Sequence, residues 1–449
     1  MAVANGSAVE PTESWPTLGE VLDTMFLQAG FNTSLVVGGT TLLGLAAGVV
    51  GVFAMLRKRA LVADALAHAT LPGIAIAFLV AGGLGLGVGV RSLPVLLFGA
   101  AVSGVLGVLC IGLILRHSRL REDAAIGIVL SVFFGAGVVG LSWIQANAPA
   151  GSAGLKSLVY GQAATMRPLD LAIVAGLAAV AVSTSWLFLK EFAIVCFDEA
   201  FARVVGWRVG AIDLLMTSLV VLVVIAGLQA VGVVLVVAML IVPAVAARFW
   251  TDRVGRMTVV AGAIGAASGY LGGVVSALLP RQPAGAVIVL AAGAVFLASL
   301  LLAPSRGVVA RAWRRLMLDL RIAGDHLLES AHETGADAMD REALADLARR
   351  QGWPPRVRRL LPFALRRRGL AAADGRGGLA ITAAGTARGA QVARNHALWA
   401  EYLVRHADVA PSHVDWSVDQ VEHVLSDEIV RELERALAQR GVPVPGDAS

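Results

Sequence analysis

One aspartate and one histidine lie four residues apart inside an apolar stretch that runs from Leu61 to Val80. Asp64 and His68 would share one face of a helix, about one turn apart. Ionisable groups persist in apolar spans mainly where they face a bundle interior or a water-filled path. A carboxylate and a neutral imidazole are suitable ligands for manganese, iron or zinc. The spacing therefore predicts a divalent-metal site, and a buried pair that only joins helices is the alternative.

The composition indicates that most of the chain lies in a membrane. Of 449 residues, 57% are hydrophobic and 15% are charged, and the mean hydropathy is +0.75. These values exclude an ordinary soluble protein. The two cysteines, Cys110 and Cys196, form neither a disulfide framework nor a CxxC site. The apolar excess ends near Pro304, where charged residues become frequent, and this shift predicts a domain boundary.

Apolar stretches of about twenty residues are long enough to cross a bilayer. Nine spans are predicted, at 33–55, 62–83, 92–115, 124–145, 169–189, 212–227, 229–249, 257–279 and 284–303. Eight or ten are the alternatives, because the sixth and seventh are separated only at Gly227–Gln229. Basic residues fall in alternate loops, which the positive-inside rule assigns to the cytoplasm. The N-terminus is then predicted outside the cell and the C-terminal third inside.

The sequence contains no energy source for transport that we can identify. The phosphate-binding motif G-x-x-x-x-G-K-[ST] is absent, so either a partner hydrolyses ATP or an ion gradient drives the cycle. The inside loop from Lys190 to Leu215 carries Phe197, Phe201 and Val205 at helical spacing. An amphipathic helix there would suit contact with an ATPase partner. A helix lying on the membrane surface is the alternative.

Several motifs within residues 30–305 resemble those of the ABC-3 permeases, a family of manganese, zinc and iron importers. They are LRKRALVADALAHATLPGIAIAFL (56–79), LREDAAIGIVLSVFFGAGVVGLS (120–142), GLKSLVYGQ (154–162), EFAIVCFDEAFARVVG (191–206), LQAVGVVLVVAMLIVPAVAARF (228–249) and LPRQPAGAVIVL (279–290). The resemblance implies an all-α polytopic fold of about nine transmembrane helices, similar to the type II ABC importers. It also implies a multi-pass location in the bacterial inner membrane.

The resemblance further implies a permease subunit that is not an enzyme itself. Such a subunit forms a homodimer or a heterodimer with a related permease, pairs with a separate ABC ATPase, and receives metal from an extracytoplasmic metal-binding protein. Manganese or iron is favoured over zinc as the substrate, and no tightly bound cofactor is expected.

The same resemblance assigns roles to particular residues. Asp64 and His68 would lie on the metal path, and Pro72-Gly73 would break the second span beside them as part of a gate, with an ordinary kink as the alternative. Coupling to the ATPase is assigned to Phe197, Asp198, Glu199, Phe201, Arg203 and Gly206.

The C-terminal third has the pattern helix, turn, helix and hairpin, with the hairpin turn at Asp374-Gly375. This pattern predicts a winged helix-turn-helix. The second helix carries Arg356, Arg358, Arg359, Arg366, Arg367 and Arg368. These arginines would bind DNA or anionic membrane lipid. The membrane tether, together with Pro362 as an expected interruption of the helix, argues against DNA.

Residues 325–440 resemble the metal-responsive repressors of the diphtheria-toxin-repressor type. The resemblance implies a regulatory metal site formed by Asp325, His396, Asp419, Glu422 and His423. Leu328 stands where a further carboxylate would be expected, and Glu329 is one place off. A solvated charged helix face is the alternative.

The predicted organisation has six parts. They are an N-terminal segment (1–32), a permease domain (33–304), a basic linker (305–322), a winged-helix domain (323–390), a helical metal-binding and dimerisation domain (391–440) and a tail (441–449). The predicted protein is a metal importer subunit whose cytosolic repressor-like domain senses the imported metal. A proton-coupled secondary metal transporter and a membrane-anchored metal-responsive transcription regulator are the alternatives.

Overall fold

The computed structural model describes residues 17–57, 60–83, 93–147, 166–230, 233–279, 284–374 and 378–406, together with residues 431, 432 and 435. The chain divides into two compact units between Ala310 and Arg311. The described part of the first unit is helical, and the second unit combines helices with a small sheet. The predicted fold class, a polytopic helical membrane unit followed by a small α(+β) domain, is confirmed.

The helices of the first unit are numbered in chain order over the residues that the structure describes. They are α1 (Leu18–Met25), α2 (Phe31–Leu56), α3 (Ala60–Gly83), α4 (Leu93–His117), α5 (Glu122–Asn147), α6 (Pro168–Leu187), α7 (Leu189–Phe197), α8 (Glu199–Val204), α9 (Val209–Ala230), α10 (Val233–Arg248), α11 (Val254–Leu278) and α12 (Ala284–Leu302).

Every predicted span corresponds to one of these helices, from α2 to α6 and from α9 to α12. Within the described ranges, eight helices are long and apolar enough to cross a membrane. The remaining span, α10, has 16 residues and is shorter than the others. The chain is therefore a multi-pass membrane protein, and eight is the lower of the predicted alternatives.

Helix α2 lies at the centre of the first unit, where it meets α11 backbone to backbone. A Cβ atom placed on Gly44 would lie 2.1 Å from the carbonyl oxygen of Gly265, and one on Gly48 would lie 2.2 Å from that of Ala261. Small residues allow membrane helices to approach this closely. Larger side chains at these positions would separate the two helices.

Helix α3 continues through Pro72 and Gly73 to Gly83, although the sequence predicted a break there. A Cβ atom on Gly73 would lie 2.0 Å from the carbonyl oxygen of Gly99 in α4, and one on Gly137 of α5 would lie 3.2 Å from the nitrogen of Pro72. Close neighbours therefore support the helix around the proline. In hydrocarbon the helix is also the conformation that satisfies most backbone groups.

The segment between α6 and α9 forms two short helices, not the one amphipathic helix that was expected. Asp198 has an extended backbone (φ −144°, ψ 90°), and this ends α7. Its carboxylate then accepts a hydrogen bond from the amide of Phe201 at 2.8 Å and caps α8. Gly206, which follows α8, has φ +94°, in the left-handed region that favours glycine.

Helix α13 (Val308–Thr334) begins three residues before the boundary and forms the first element of the second unit. It is followed by β1 (Ala338–Met339), α14 (Arg341–Arg350), α15 (Pro355–Arg367), β2 (Ala371–Ala373), β3 (Leu379–Ile381) and α16 (Ala383–His406). The antiparallel sheet has the order β1-β3-β2, and Ala372 pairs with Ala380. The hairpin of β2 and β3 follows the two helices α14 and α15, as the sequence pattern indicated. Helix α13 begins at Val308 and includes most of the segment expected as a linker.

Helix α15 runs without interruption through Pro362, contrary to the expectation from sequence. Its buried face consists of Val357, Leu361 and Leu365, and these pack into the core of the second unit with Trp353. This apolar contact stabilises the helix on both sides of the proline, so tertiary packing outweighs the local preference.

Candidate functional site

Asp64 and His68 lie on one face of α3, as their spacing predicted. The His68 Nε2 atom is 3.5 Å from Asp64 Oδ1. The Asp64 side chain is 39% exposed and that of His68 is 19% exposed, although the residues around them on α3 are almost fully buried. Helix α3 packs against α4, α5, α9 and α10. A small ion could therefore reach these two polar groups within an otherwise apolar helix.

The imidazole of His68 has an unusual environment. Its ring packs edge-on against Phe134 of α5, with ring centroids 4.9 Å apart and planes at 79°. Its Nδ1 atom is buried and has no hydrogen-bond partner among the residues that the structure describes. Leaving a buried polar atom unpaired costs free energy, so such atoms commonly mark a ligand or a water position.

Pro72 affects the same place through the backbone. In an α-helix the amide of residue 72 would donate to the carbonyl oxygen of residue 68, but proline has no amide hydrogen. The His68 carbonyl oxygen therefore lacks its regular helical donor. The next carbonyl, that of Ala69, accepts a hydrogen bond from Ser103 Oγ of α4 at 2.6 Å. Sequence reasoning missed this oxygen, although the spacing of four residues from His68 to Pro72 was the signal for it.

The two short helices α7 and α8, with the turn after them, form what we call the coupling segment (residues 189–206). It presents a group of exposed apolar side chains: Phe197 is 69% exposed, Phe201 55% and Val204 85%. The charged side chain of Arg203 is also exposed, at 69%. Three of the six predicted coupling residues, Phe197, Phe201 and Arg203, therefore lie on an accessible surface. Asp198 and Gly206 shape the backbone beneath it.

The sixth predicted coupling residue, Glu199, is held by an arginine at the end of α2. Arg57 donates from Nη1 to Glu199 Oε2 and to the carbonyl oxygen of Val195, both at 3.2 Å. It also donates to Asp213 Oδ1 of α9, from Nη2 at 2.8 Å and from Nε at 3.2 Å. The hydrogen bond from Arg57 lowers the pKa of the Glu199 carboxyl, and the charges of Arg57 and Arg203 contribute.

Sequence reasoning treated Arg57 only as one of the positive charges of an inside loop. Its two carboxylate partners are 142 and 156 positions away in the chain. No local spacing could have indicated them.

In the second unit, Asp325 is buried and faces an arginine. Arg388 of α16 donates from Nε to Asp325 Oδ1 at 3.0 Å and from Nη2 to Oδ2 at 2.8 Å. Both oxygens of this carboxylate, which the repressor resemblance assigned to a metal, accept hydrogen bonds from a guanidinium group. The arrangement fits a structural ion pair better than a metal ligand.

One helical turn further along α13, Glu329 meets His396 of α16, with Glu329 Oε1 at 3.2 Å from His396 Nδ1. The two helices approach closely here: a Cβ atom placed on Gly389 would lie 2.3 Å from the carbonyl oxygen of Leu328. Leu328 is 1% exposed and belongs to the core, so Glu329 is the residue whose carboxylate reaches the histidine. His396 lies well inside α16.

The other predicted ligands of the regulatory metal, Asp419, Glu422 and His423, lie outside the described residues. Within the described ranges, no group of three or more His, Cys, Asp or Glu side chains could hold a metal ion. The pair Glu329 and His396 supplies two suitable ligands, which is an incomplete set for a transition metal.

The arginines of the helix-turn-helix lie on its surface. Arg356, Arg358, Arg359, Arg366, Arg367 and Arg368 are all exposed. A groove of about 460 Å³ between α14 and α15 is lined by Arg341, Arg358, Arg359 and Trp353, among others. This surface is therefore cationic.

Two protein families match this chain. The ABC 3 transport family matches residues 31–303. A second family model, "Iron dependent repressor, metal binding and dimerisation domain", matches residues 382–441.

Among individual relatives, the manganese transport system membrane protein MntC of Bacillus subtilis is 43% identical over 302 residues, which cover 67% of this chain and 68% of that protein. The zinc transport system membrane protein TroC of Treponema pallidum is 41% identical over 296 residues, 66% of this chain and 97% of that protein. A probable metal transport system membrane protein of Chlamydia trachomatis is 26% identical over 435 residues, 92% of this chain and 94% of that protein.

A solved structure, PsaBC from Streptococcus pneumoniae in complex with Fab, is similar to this fold. Its TM-score is 0.56 at 31% sequence identity, and the match covers 65% of this chain and 98% of the other.

Proposed function

Because this chain belongs to the ABC-3 transport family, as the motifs in its sequence predicted, we propose that it is the membrane permease subunit of an ATP-binding-cassette importer for a divalent transition metal. The relatives named for manganese and zinc transport support a metal as the substrate. The observation that carries the proposal is the Asp64–His68 pair, a partly exposed carboxylate and imidazole flanked by almost fully buried residues of α3.

The metal path passes the pair on α3. Asp64 supplies an oxygen ligand and His68 a nitrogen ligand, which together suit manganese, iron or zinc. The His68 carbonyl oxygen, which has no donor at Pro72, is available as a further oxygen ligand. An incomplete ligand set is appropriate for transport, because the site must bind the ion and also release it.

Energy comes from a separate ATPase subunit that docks on the coupling segment. Exposed apolar side chains outside the membrane spans indicate an interaction surface, and Phe197, Phe201 and Val204 form one. A related permease or a second copy completes the membrane assembly, and an extracytoplasmic protein delivers the metal.

The second unit lies in the cytoplasm and senses the imported metal. The repressor-family match over residues 382–441 supports this role, as does the Glu329–His396 pair. The relative from Chlamydia trachomatis, named as a metal transport membrane protein, aligns with both units of this chain. That arrangement favours a transporter with an attached sensor over a sensor that merely uses the membrane as an anchor.

The test is metal accumulation in cells that produce this chain with its ATPase and binding protein. Wild type should accumulate manganese, iron or zinc above cells that lack the chain, in an elemental scan of all three. Asp64→Ala and His68→Ala should each abolish the increase at equal amounts of protein in the membrane. ATP-dependent accumulation that is equal in wild type and both variants would overturn the assignment of the path.

A second candidate function is nucleic-acid binding by the second unit, favoured by the helix-turn-helix, the hairpin and the exposed arginines of α15. It predicts that the full chain in detergent retains duplex DNA, with an affinity that falls steeply with salt. Replacing Arg356 and Arg359 with glutamine should weaken retention. Equal retention by this variant and wild type would rule the candidate out.

A further inference from the structure

We propose that Arg57 is a positioning residue that holds the coupling segment against the membrane helices, so that movement of the ATPase partner is transmitted to α2 and α9. The inference rests on the proposed function, because it concerns how this importer couples ATP hydrolysis to transport. It adds a residue outside the coupling segment to the coupling machinery.

The coupling segment has a weak point at Asp198. The extended backbone of this residue separates α7 from α8, so no helical hydrogen bonds run continuously through the segment. Arg57 spans the break, because it donates to the carbonyl oxygen of Val195 in α7 and to the carboxylate of Glu199 in α8. The angle between the two short helices therefore depends on this guanidinium group.

Each short helix has a different attachment to the bundle. Helix α7 is anchored by Phe192, which is fully buried and packs edge-on against Phe53 of α2 with ring centroids 5.0 Å apart. Helix α8 has a much smaller apolar anchor, the methyl group of the buried Ala202. Its charged contact with Arg57, through Glu199, is a further attachment to the bundle.

The remaining donors of Arg57 reach Asp213 near the start of α9. One planar group thus joins α2, both halves of the coupling segment and a membrane helix. Its side chain is 14% exposed and that of Asp213 is 24% exposed, so water screens this pair less than the contact with Glu199, which is 40% exposed. A lysine would keep the charge but could not reproduce this forked set of contacts.

The same junction reaches the helix of the metal path. A cavity of about 20 Å³, large enough for one water molecule, is lined by Arg57 and Asp213 together with Val62 of α3 and other residues. Asp64 follows Val62 by two residues. A displacement of the coupling segment would therefore be felt at the end of the helix that binds the metal.

The test uses the assembled importer in proteoliposomes, with its ATPase and binding protein, and measures manganese uptake and ATP hydrolysis together. Loss of charged hydrogen bonds should lower the uptake per ATP hydrolysed by about tenfold in Arg57→Gln. ATP hydrolysis itself should fall by less than about twofold, because the exposed side chains of the coupling segment that contact the ATPase are unchanged. Asp213→Asn should shift the ratio in the same direction.

Arg57→Lys distinguishes this positioning role from a role as a positive charge that only sets the orientation of the chain in the membrane. If Arg57 only fixes membrane orientation, the lysine variant should match wild type, and that result would overturn the proposal. If Arg57 positions the segment, the uptake per ATP should stay clearly below wild type. The double variant Arg57→Gln with Glu199→Gln should have the same uptake per ATP as the more impaired single variant. Each substitution already removes the contact between Arg57 and Glu199, so their effects should not add.

The control is Arg306→Gln, which removes another loop arginine paired with an aspartate, Asp252. Its uptake per ATP should equal that of wild type. A wild-type assembly without ATP-dependent uptake would overturn the proposed function as well as this inference. A wild-type assembly that transports, with an unchanged ratio in Arg57→Gln, would overturn the positioning role alone.

Discussion

The two units of this protein each contain a carboxylate close to a histidine, and the pairs are formed in different ways. Asp64 and His68 belong to one helix, with 3.5 Å between Oδ1 and Nε2. Glu329 and His396 belong to two helices that cross, with 3.2 Å between Oε1 and Nδ1. The first pair needs only helical periodicity, whereas the second exists only while α13 and α16 are packed together.

Their neighbours differ as well. In the first pair the His68 ring packs edge-on against the ring of Phe134, an apolar neighbour. The second pair lies one turn from Asp325, whose charge is already balanced by Arg388. The first region is therefore suited to attract a passing cation, and the second is suited to report whether two helices remain in contact.

The largest expected effect concerns the pair in the membrane. Asp64→Ala and His68→Ala should each lower metal uptake by about a hundredfold, since loss of even indirect metal contacts costs 10- to 100-fold in other sites. Radioactive manganese uptake at equal protein amounts measures this. His117→Ala, at an exposed histidine that ends α4, serves as the control and should match wild type.

The next effect concerns the crossing of α13 and α16. Arg388→Ala removes the guanidinium group that donates to both oxygens of the buried Asp325 carboxylate, and this should destabilise the crossing by about 3–5 kcal/mol. Hydrogen–deuterium exchange of peptides from the two helices measures the change. Arg349→Ala removes an exposed partner of Asp346 and should leave the exchange of the two helices almost unchanged. Equal effects of the two substitutions would contradict the structural role of the buried pair.

A smaller effect should separate stability from transport in the first unit. Pro72→Ala restores the amide donor to the His68 carbonyl, so it should stabilise α3 by about 1–3 kcal/mol. The same change should lower uptake about fivefold, because that oxygen becomes engaged in the helix. Pro243→Ala in α10 is the matched control and should leave uptake unchanged. Thermal unfolding measures the change in stability, and metal uptake measures the change in transport. Unchanged uptake in Pro72→Ala would exclude the His68 carbonyl oxygen as a ligand.

The smallest effect on stability is expected for Glu329→Gln. The amide keeps the size and the polarity of the carboxylate beside His396, so the free energy of unfolding should change by less than about 1 kcal/mol. Added manganese should nevertheless no longer protect α13 and α16 from hydrogen–deuterium exchange, because the amide is a poor metal ligand. Exchange measurements on the Asp64→Ala/His68→Ala background isolate this site. A loss of several kcal/mol would instead make Glu329 a structural residue like Asp325.

Local patterns predicted the features that depend on neighbouring positions in the chain. Hydropathy located the spans, the four-residue spacing located Asp64 and His68, and Asp-Gly located the hairpin of the second unit. Long-range partners were not predictable: the contacts of Arg57 cross 142 and 156 positions, and Arg388 lies 63 positions from Asp325.

Prolines gave the clearest errors. Both Pro72 and Pro362 were expected to interrupt helices, and both lie inside continuous ones. The local preference was correct in direction, but packing against neighbouring helices supplies more free energy than one lost hydrogen bond removes. Packing also accounts for Leu328. This position is buried in the core of the second unit and therefore holds an apolar side chain, not the carboxylate that the repressor resemblance led us to expect.

The glycine contact between α2 and α11 limits how this protein can alternate its access between the two sides of the membrane. Where Gly44 meets Gly265, the backbones of the two helices touch, so a change of rotamer between these two residues cannot help one helix to slide past the other. Gly73 and Gly99 join α3 to α4 in the same way. We therefore expect each joined pair to rock as a rigid body, with the opening and closing motion at seams lined by larger side chains.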